Sequence, residues 1–197
     1  FIPVMAKEDS ARNCWAPEIT YDKKKQQYMI YWATTIAGKY KMDTLVESGY
    51  NHRLYYVTTK DFKNFSSTKL LYDKGFNVID ATIVPDGKQF VMFLKDETRI
   101  PPQKNIKIAT SKKLTSGFSA VSAPITGNYW AEGPTAATIG KETVVYFDKY
   151  MEGRYGAISS IDGKKWKDIS DKIRLPSGIR HGTIFRITKP EFEKLPK

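Results

Sequence analysis

The chain has 197 residues, a formal charge of +11, 41% hydrophobic residues and 13% aromatics. That apolar and aromatic content excludes a disordered chain, and the length admits one sizeable core or at most two small domains. No run approaches 18 consecutive apolar residues, which excludes a helical membrane span, and the opening Phe1-Ile-Pro-Val-Met lacks the features of a signal peptide.

From the N-terminus onward the dominant pattern is alternation with period two, not helical spacing. Short strands are predicted at 28–32, 54–57, 90–94, 106–108 and 144–147, all rich in aromatic and β-branched residues that suit a half-buried pleated surface. Turn formers separate them: Asp22-Lys23, Asp86-Gly87, Ser116-Gly117, Glu152-Gly153 and Asp162-Gly163. At the C-terminus, 189–195 has room for one helical turn. Lysines gather in the predicted turns, at 23–25, 60, 63, 112–113 and 164–165. The positive charge therefore reads as a solubilising surface, with no nucleic-acid partner expected. Cys14 is the single cysteine, so no intrachain disulfide exists. With only His52 and His181 beside it, a Cys/His zinc site is not expected.

Four segments repeat: Trp15-Ala-Pro-Glu-Ile, Ile79-Asp-Ala-Thr-Ile, Ala131-Glu-Gly-Pro-Thr and Arg180-His-Gly-Thr-Ile. Aligned, they place Ala16, Asp80, Glu132 and His181 at one position, followed each time by a small residue or Pro. The offsets are 64, 52 and 49 residues. After each of the first three come an aromatic-rich strand, a strand ending in Thr or Ser, a Lys/Asp-rich turn closing on an aromatic, and a fourth strand such as 69–72. A repeat of roughly 50 residues with four short strands is the requirement of a β-propeller blade. The expected fold is all-β: a single propeller domain with blades near 14–75, 76–127 and 128–179 and the inner strand of another at 180–188.

The first strand of a blade lines the central axis, so the start of each inner strand points into one shared mouth. Asp80 and Glu132 then face the axis from adjacent blades among apolar or small neighbours. Burial and a nearby like charge both favour a protonated carboxyl, and two such groups suit general acid chemistry of the kind glycoside hydrolysis uses. The alternative is that each carboxylate only caps backbone groups at a turn.

These segments resemble glycoside hydrolase family 43. Trp15-Ala-Pro-Glu-Ile with Tyr28-Met-Ile-Tyr-Trp is similar to its second blade. Ile79-Asp80-Ala with Phe93-Leu-Lys-Asp-Glu97 is similar to the third, Glu132-Gly-Pro with Tyr146-Phe-Asp-Lys-Tyr150 to the fourth, and Arg180-His181-Gly-Thr-Ile to the opening of the fifth. The resemblance implies a five-bladed propeller glycosidase that hydrolyses arabinofuranosyl or xylosyl linkages of plant-type polysaccharides with inversion. It implies that Glu132 is the general acid and Asp80 the residue that tunes and orients it. The family's general base, an Asp within Arg-Asp-Pro on the first blade, has no match in this chain; Asp9, in Lys7-Glu-Asp-Ser, does not fit. The chain is therefore expected to be a fragment lacking the base, inactive alone, completed by an N-terminal segment or a second chain. The alternative is a non-catalytic carbohydrate-binding propeller or pseudo-enzyme.

Trp15 and Trp130 precede the axial position and offer apolar walls for a sugar ring. Arg180 and His181 are expected to contact substrate, with His181 a candidate to hold a water near the axis. The resemblance also implies a possible axial calcium ion, and no cofactor is otherwise required. Lys95 reads as a surface lysine, Glu18 as a backbone partner deeper in the channel, and Asp148 as a turn or inter-blade residue.

Overall fold

Three antiparallel sheets follow one another along the chain in the computed structural model, which describes residues 2–40, 49–176 and 178–196. The first contains β1 (Trp15–Asp22), β2 (Gln27–Thr35), β3 (His52–Thr59) and β4 (Lys69–Tyr72), hydrogen-bonded in that order. The second contains β5 (Val78–Asp86), β6 (Gln89–Asp96) and β7 (Asn105–Ser111). The third contains β8 (Glu132–Ile139), β9 (Glu142–Lys149), β10 (Arg154–Ser160) and β11 (Lys167–Asp168), again in sequence order. Sequential antiparallel pairing is the blade pattern that the alternation predicts.

The second sheet lacks a regular fourth strand. Its outer edge is instead closed by irregular chain, through Ser119 N to Thr110 O, Ser122 N to Ile108 O and Ile125 N to Ile106 O, at 2.8–2.9 Å. The Lys/Asp-rich turns share one device. Asp61 Oδ1 accepts from the backbone N–H of Lys63 and Asn64, and Asp162 Oδ1 accepts from those of Lys164 and Lys165, at 2.8–2.9 Å. The aspartate fixes each turn through its neighbours' backbone, which leaves the lysine side chains free for solvent.

The core lies between the sheets. Met29, Tyr31, Leu54, Ile83, Met92 and Leu94 pack the first against the second. Phe93, Ile106, Val145, Phe147 and Ile158 pack the second against the third. Tyr31 Oη accepts from Ile83 N at 2.9 Å, which ties the first two inner faces together. In β10, a Cβ on Gly156 would stand 2.6 Å from the Phe147 ring and 2.8 Å from Lys149 Cε. Gly156→Ala is therefore expected to destabilise the fold by about 1–3 kcal/mol through overpacking, read as a lower denaturation midpoint in urea. An unchanged midpoint would contradict that close packing.

The expected inner strand at 180–188 is not a strand. Residues 181–188 carry no ladder, and the segment leans on β8 through Ile184 N to Thr135 Oγ1 at 2.9 Å. A strand needs a partner, and the next element is the short helix α1 (Lys189–Glu193), closed at its start by a Thr188–Glu191 capping box. Thr183 Oγ1 also donates to Glu18 on β1, at 2.7 Å. The segment thus bridges the third sheet to the first across the axis.

Candidate active site

Each inner strand is broken by a bulge near its start. The ladder skips between Trp15 and Glu18, between Ile79 and Thr82, and between Glu132 and Thr135. The first bulged residue has a left-handed backbone in every case: Ala16 (φ 46°), Asp80 (φ 50°) and Gly133 (φ 56°); His181 (φ 46°) matches them. This corrects the sequence alignment by one residue in the third repeat. Gly133, not Glu132, is the backbone equivalent of Asp80, and Glu132 corresponds to Ile79 and Trp15. Glycine at 133 meets two demands at once: a left-handed φ, and an imidazole only 2.9 Å from where a Cβ would stand.

The bulges aim side chains into an axial cleft of about 250 Å³, lined among others by Glu18, Asp80, Gly133, His181 and Thr183. A larger cleft of about 720 Å³ lies between the N-terminal segment and the β3–β4 side, lined by Ile2, Val4, Met5, Tyr55, Val57 and Leu70 among others. Its walls are mostly apolar, whereas two carboxyls and an imidazole, from Glu18, Asp80 and His181, line the smaller one.

Asp80 is buried, and its Oδ2 accepts the Gly133 N–H at 3.1 Å. Burial pushes its carboxyl up from the usual range, against the opposing pull of His181, Lys95 and the Gly133 N–H. Glu132 meets three cations. Lys95 Nζ lies 2.8 Å from Oε2, and Arg180 Nη2 and His181 Nε2 each lie 3.1 Å from Oε1. Burial alone would raise the Glu132 carboxyl, but the His181 hydrogen bond and the Lys95 charge outweigh it and hold the group down at about 2. Burial thus raises one of the two carboxyls while cations hold the other down, in the reverse order from the expectation for a general acid.

Lys95 corrects the expectation of a surface lysine. It is 2% exposed and bonds Glu97 as well as Glu132. The signal was available: Lys95 and Glu97 are two residues apart at a strand end, hence on one face, opposite Ile79 and next to Asp80. Asp148 is not a turn residue. It sits buried in β9 and pairs with Arg180 Nε. Glu18 accepts from the Thr183 side chain as well as from a backbone N–H, that of the adjacent Ile19; burial pushes its carboxyl up.

Trp15 and Trp130 are 44% and 41% exposed. Trp15 stacks on Tyr50, centroids 4.9 Å apart, and lies 4.8 Å from the His52 ring. Trp130 tilts against Tyr150 at 5.9 Å. Both present apolar faces beside residues that start an inner strand.

The imidazolium form of His181 is favoured, first by its hydrogen bond to Glu132, against the effect of burial. With the folded value raised, its contribution is present below the ordinary 6.5 and lost as pH rises through the folded value. Glu132, lowered, contributes above the ordinary 4.5 and loses that contribution as pH falls toward about 2. Docking of the 180–183 segment should therefore be tightest between pH 4.5 and 6.5. Corrected amide hydrogen exchange at Gly182 and Thr183 should be slowest in that window. A flat profile across it would show that the contact carries no titrating partner.

The family model described as "Probable glycosyl hydrolase domain" matches residues 2–193. A curated α-L-arabinofuranosidase from Bifidobacterium longum is 28% identical over 145 residues, 66% of this chain and 14% of that protein. Among solved structures, an α-L-arabinofuranosidase from Lactobacillus brevis superposes with a TM-score of 0.58 at 17% identity, over 83% of this chain and 57% of that one. An exo-β-1,3-galactanase from Phanerochaete chrysosporium superposes with a TM-score of 0.59 at 11% identity, over 82% and 36%. The chain thus spans about a third to just over half of these solved structures, and one-seventh of the curated relative. The structural likenesses establish the fold, of the five-bladed β-propeller type.

Proposed function

Since the chain belongs to this glycosyl hydrolase family, related to family 43, we propose that it serves the inverting hydrolysis of arabinofuranosyl or xylosyl linkages in plant-type polysaccharides. The observation that carries the proposal is the convergence of Asp80 and Glu132, from adjacent sheets, on one imidazole at the edge of the axial cleft, with His181 Nε2 3.1 Å from Glu132 and 4.0 Å from Asp80. Glu132 passes its proton to the glycosidic oxygen as the C1–O bond breaks and that bond's electron pair leaves with the oxygen. Water attacks C1 from the opposite face and gives its proton to a base. The proposal assigns that base to a carboxylate other than Asp80 and Glu132, supplied by a further blade or a second chain. Asp80, buried beside Glu132, favours the protonated form of its neighbour by like charge.

Arg180 is the most exposed cation on Glu132, with 58% of its side chain open to solvent, and so the first that an entering sugar would displace. Displacing it lifts the Glu132 carboxyl toward the protonated state that donation requires. Asp80, Glu132 and His181 offer atoms within 4.8 Å of one another, but His181 Nε2 is already spent on Glu132. These three are the residues that would hold an axial cation, and no step of the proposal needs one.

A second reading, a carbohydrate-binding propeller without turnover, gains from the same ion pairs, because a carboxylate held at about 2 is a better hydrogen-bond acceptor than acid. Incubation with arabinofuranosyl- and xylosyl-oligosaccharides, followed by proton NMR of the product anomer, separates the two. Inverted product supports the hydrolase. Saturable binding without product from the chain joined to the blade or partner chain that supplies the base (the base-complemented protein) supports the binding module, and neither result sinks both.

A further inference from the structure

The two oxygens of Glu132 face different surroundings. Oε1 is held by Arg180 and His181, whose side chains are 58% and 42% exposed and which belong to a segment outside any sheet. Oε2 is held by Lys95, from within β6. Lys95 is itself fixed before it reaches Glu132. Its Nζ lies 2.7 Å from Glu97 Oε2 and 4.7 Å from the centre of the Tyr150 ring. The other Glu97 oxygen pairs with Lys104, whose Nζ also reaches Glu97 O at 3.3 Å. A chain of alternating charge, Lys104–Glu97–Lys95–Glu132, therefore runs from the second sheet to the first residue of the third.

We propose that Lys95, clamped by Glu97, is a positioning residue that ties Oε2 of Glu132 to the interior and leaves Oε1 as the oxygen presented to the mouth. Its catalytic meaning rests on Glu132 being the general acid. A proton on Oε2 would have to displace an ammonium pinned on its far side, whereas one on Oε1 displaces groups free to swing into solvent. Donation then breaks the Oε1–H bond, forms the bond from hydrogen to the glycosidic oxygen and leaves a carboxylate that Lys95 already neutralises. The charged and titratable groups around Glu132 are Lys95 and Glu97 from the β6 end, Asp80 from β5, Asp148 and Tyr150 from the β9 end, and Arg180 and His181 from the following segment.

The test is a carbon-13 NMR titration of the whole chain labelled at glutamate side chains, with the Glu132 signal identified by its loss in Glu132→Gln. In the wild type, Glu132 should titrate below ordinary glutamate. Lys95→Met should raise its midpoint by about one unit or more, roughly a tenfold change in proton affinity. Lys95→Arg should restore it, and Arg180→Ala, acting from an exposed position, should move it less than Lys95→Met does. A wild-type midpoint at the ordinary glutamate value overturns the proposal, and so does a larger shift in Arg180→Ala. The wild-type measurement decides even where Lys95→Met does not fold. Because the titration needs no turnover, a failure of the hydrolase reading shows only in the product assay and leaves this result standing.

Discussion

Replacing Glu132 by Gln is expected to lower the hydrolysis of an unactivated arabinofuranosyl or xylosyl linkage by about 10²–10⁴-fold, the span of a lost general acid. The isosteric amide keeps one oxygen, which can still accept from Lys95 Nζ, now 2.8 Å from Oε2, while its NH2 takes the place of Oε1 toward Arg180 and His181. It cannot donate an acidic proton. The loss should therefore fall on kcat, with KM for the oligosaccharide little changed, because the Trp15 and Trp130 faces are untouched. An aryl glycoside with a good leaving group should be less affected than a natural linkage, since its oxygen needs less protonation. This contrast, measured in the base-complemented protein, isolates the acid role from general damage. Equal losses on both substrates would point to a binding or structural role for Glu132 instead.

The variant also has a stability consequence with a definite sign. Removing the carboxylate charge leaves Lys95 facing Glu97 alone and frees Arg180 to Asp148. Both keep a partner, so the fold should survive. Lys95→Met is the harsher change, because it leaves Glu97 and Glu132 as neighbouring acids without the cation between them. Breaking one side of a buried ion pair of this kind costs about 3–5 kcal/mol.

The sheets were legible because alternation and turn chemistry are local. Strands β2, β3, β6, β7 and β9 grew around the aromatic runs that predicted them, and the Asp61 and Asp162 turns repeat visibly in sequence. The pairing of Asp80 with Glu132 was legible only by like charge, and like charge gave the wrong register. The deciding feature was the left-handed backbone of the bulge. Sequence signals it at Gly133 but leaves it unmarked at Ala16, Asp80 and His181, since a non-glycine residue takes that conformation in only a small minority of cases. The 180–188 segment reads as an inner strand because its residues match one, yet a strand also requires a neighbour that the sequence pattern of the segment itself does not specify. Lys95 departs from expectation for the opposite reason. Composition makes lysine a surface residue by default, and that default is reversed by Glu97 at the end of the same strand and by Glu132 from the next sheet.

Asp80→Asn is expected to preserve the fold and to move the pH profile. Asparagine tolerates the left-handed φ of 50° better than other replacements, and its amide oxygen can still accept the Gly133 N–H. What disappears is a negative charge beside Glu132 and His181. That charge favours protonation of both, so its loss lets Lys95 and His181 hold the Glu132 carboxyl lower still. A general acid must be protonated to act, so the alkaline limb of kcat/KM moves to lower pH. At a fixed pH above that limb, each unit of displacement lowers the rate about tenfold, and a fall of roughly ten- to a hundredfold is expected near neutrality. Asp80→Ala should show the same displacement with an added stability loss. It strands the buried Gly133 N–H, at a cost of about 1–3 kcal/mol, and places a residue with no local hydrogen-bonding group in the left-handed region. Comparing the two variants separates charge from scaffold: the limb should move equally in both, while the thermal midpoint drops mainly in Asp80→Ala. A limb that stays in place in Asp80→Asn would leave Asp80 with the bulge alone as its role, and the tuning of Glu132 would pass to Lys95 and His181.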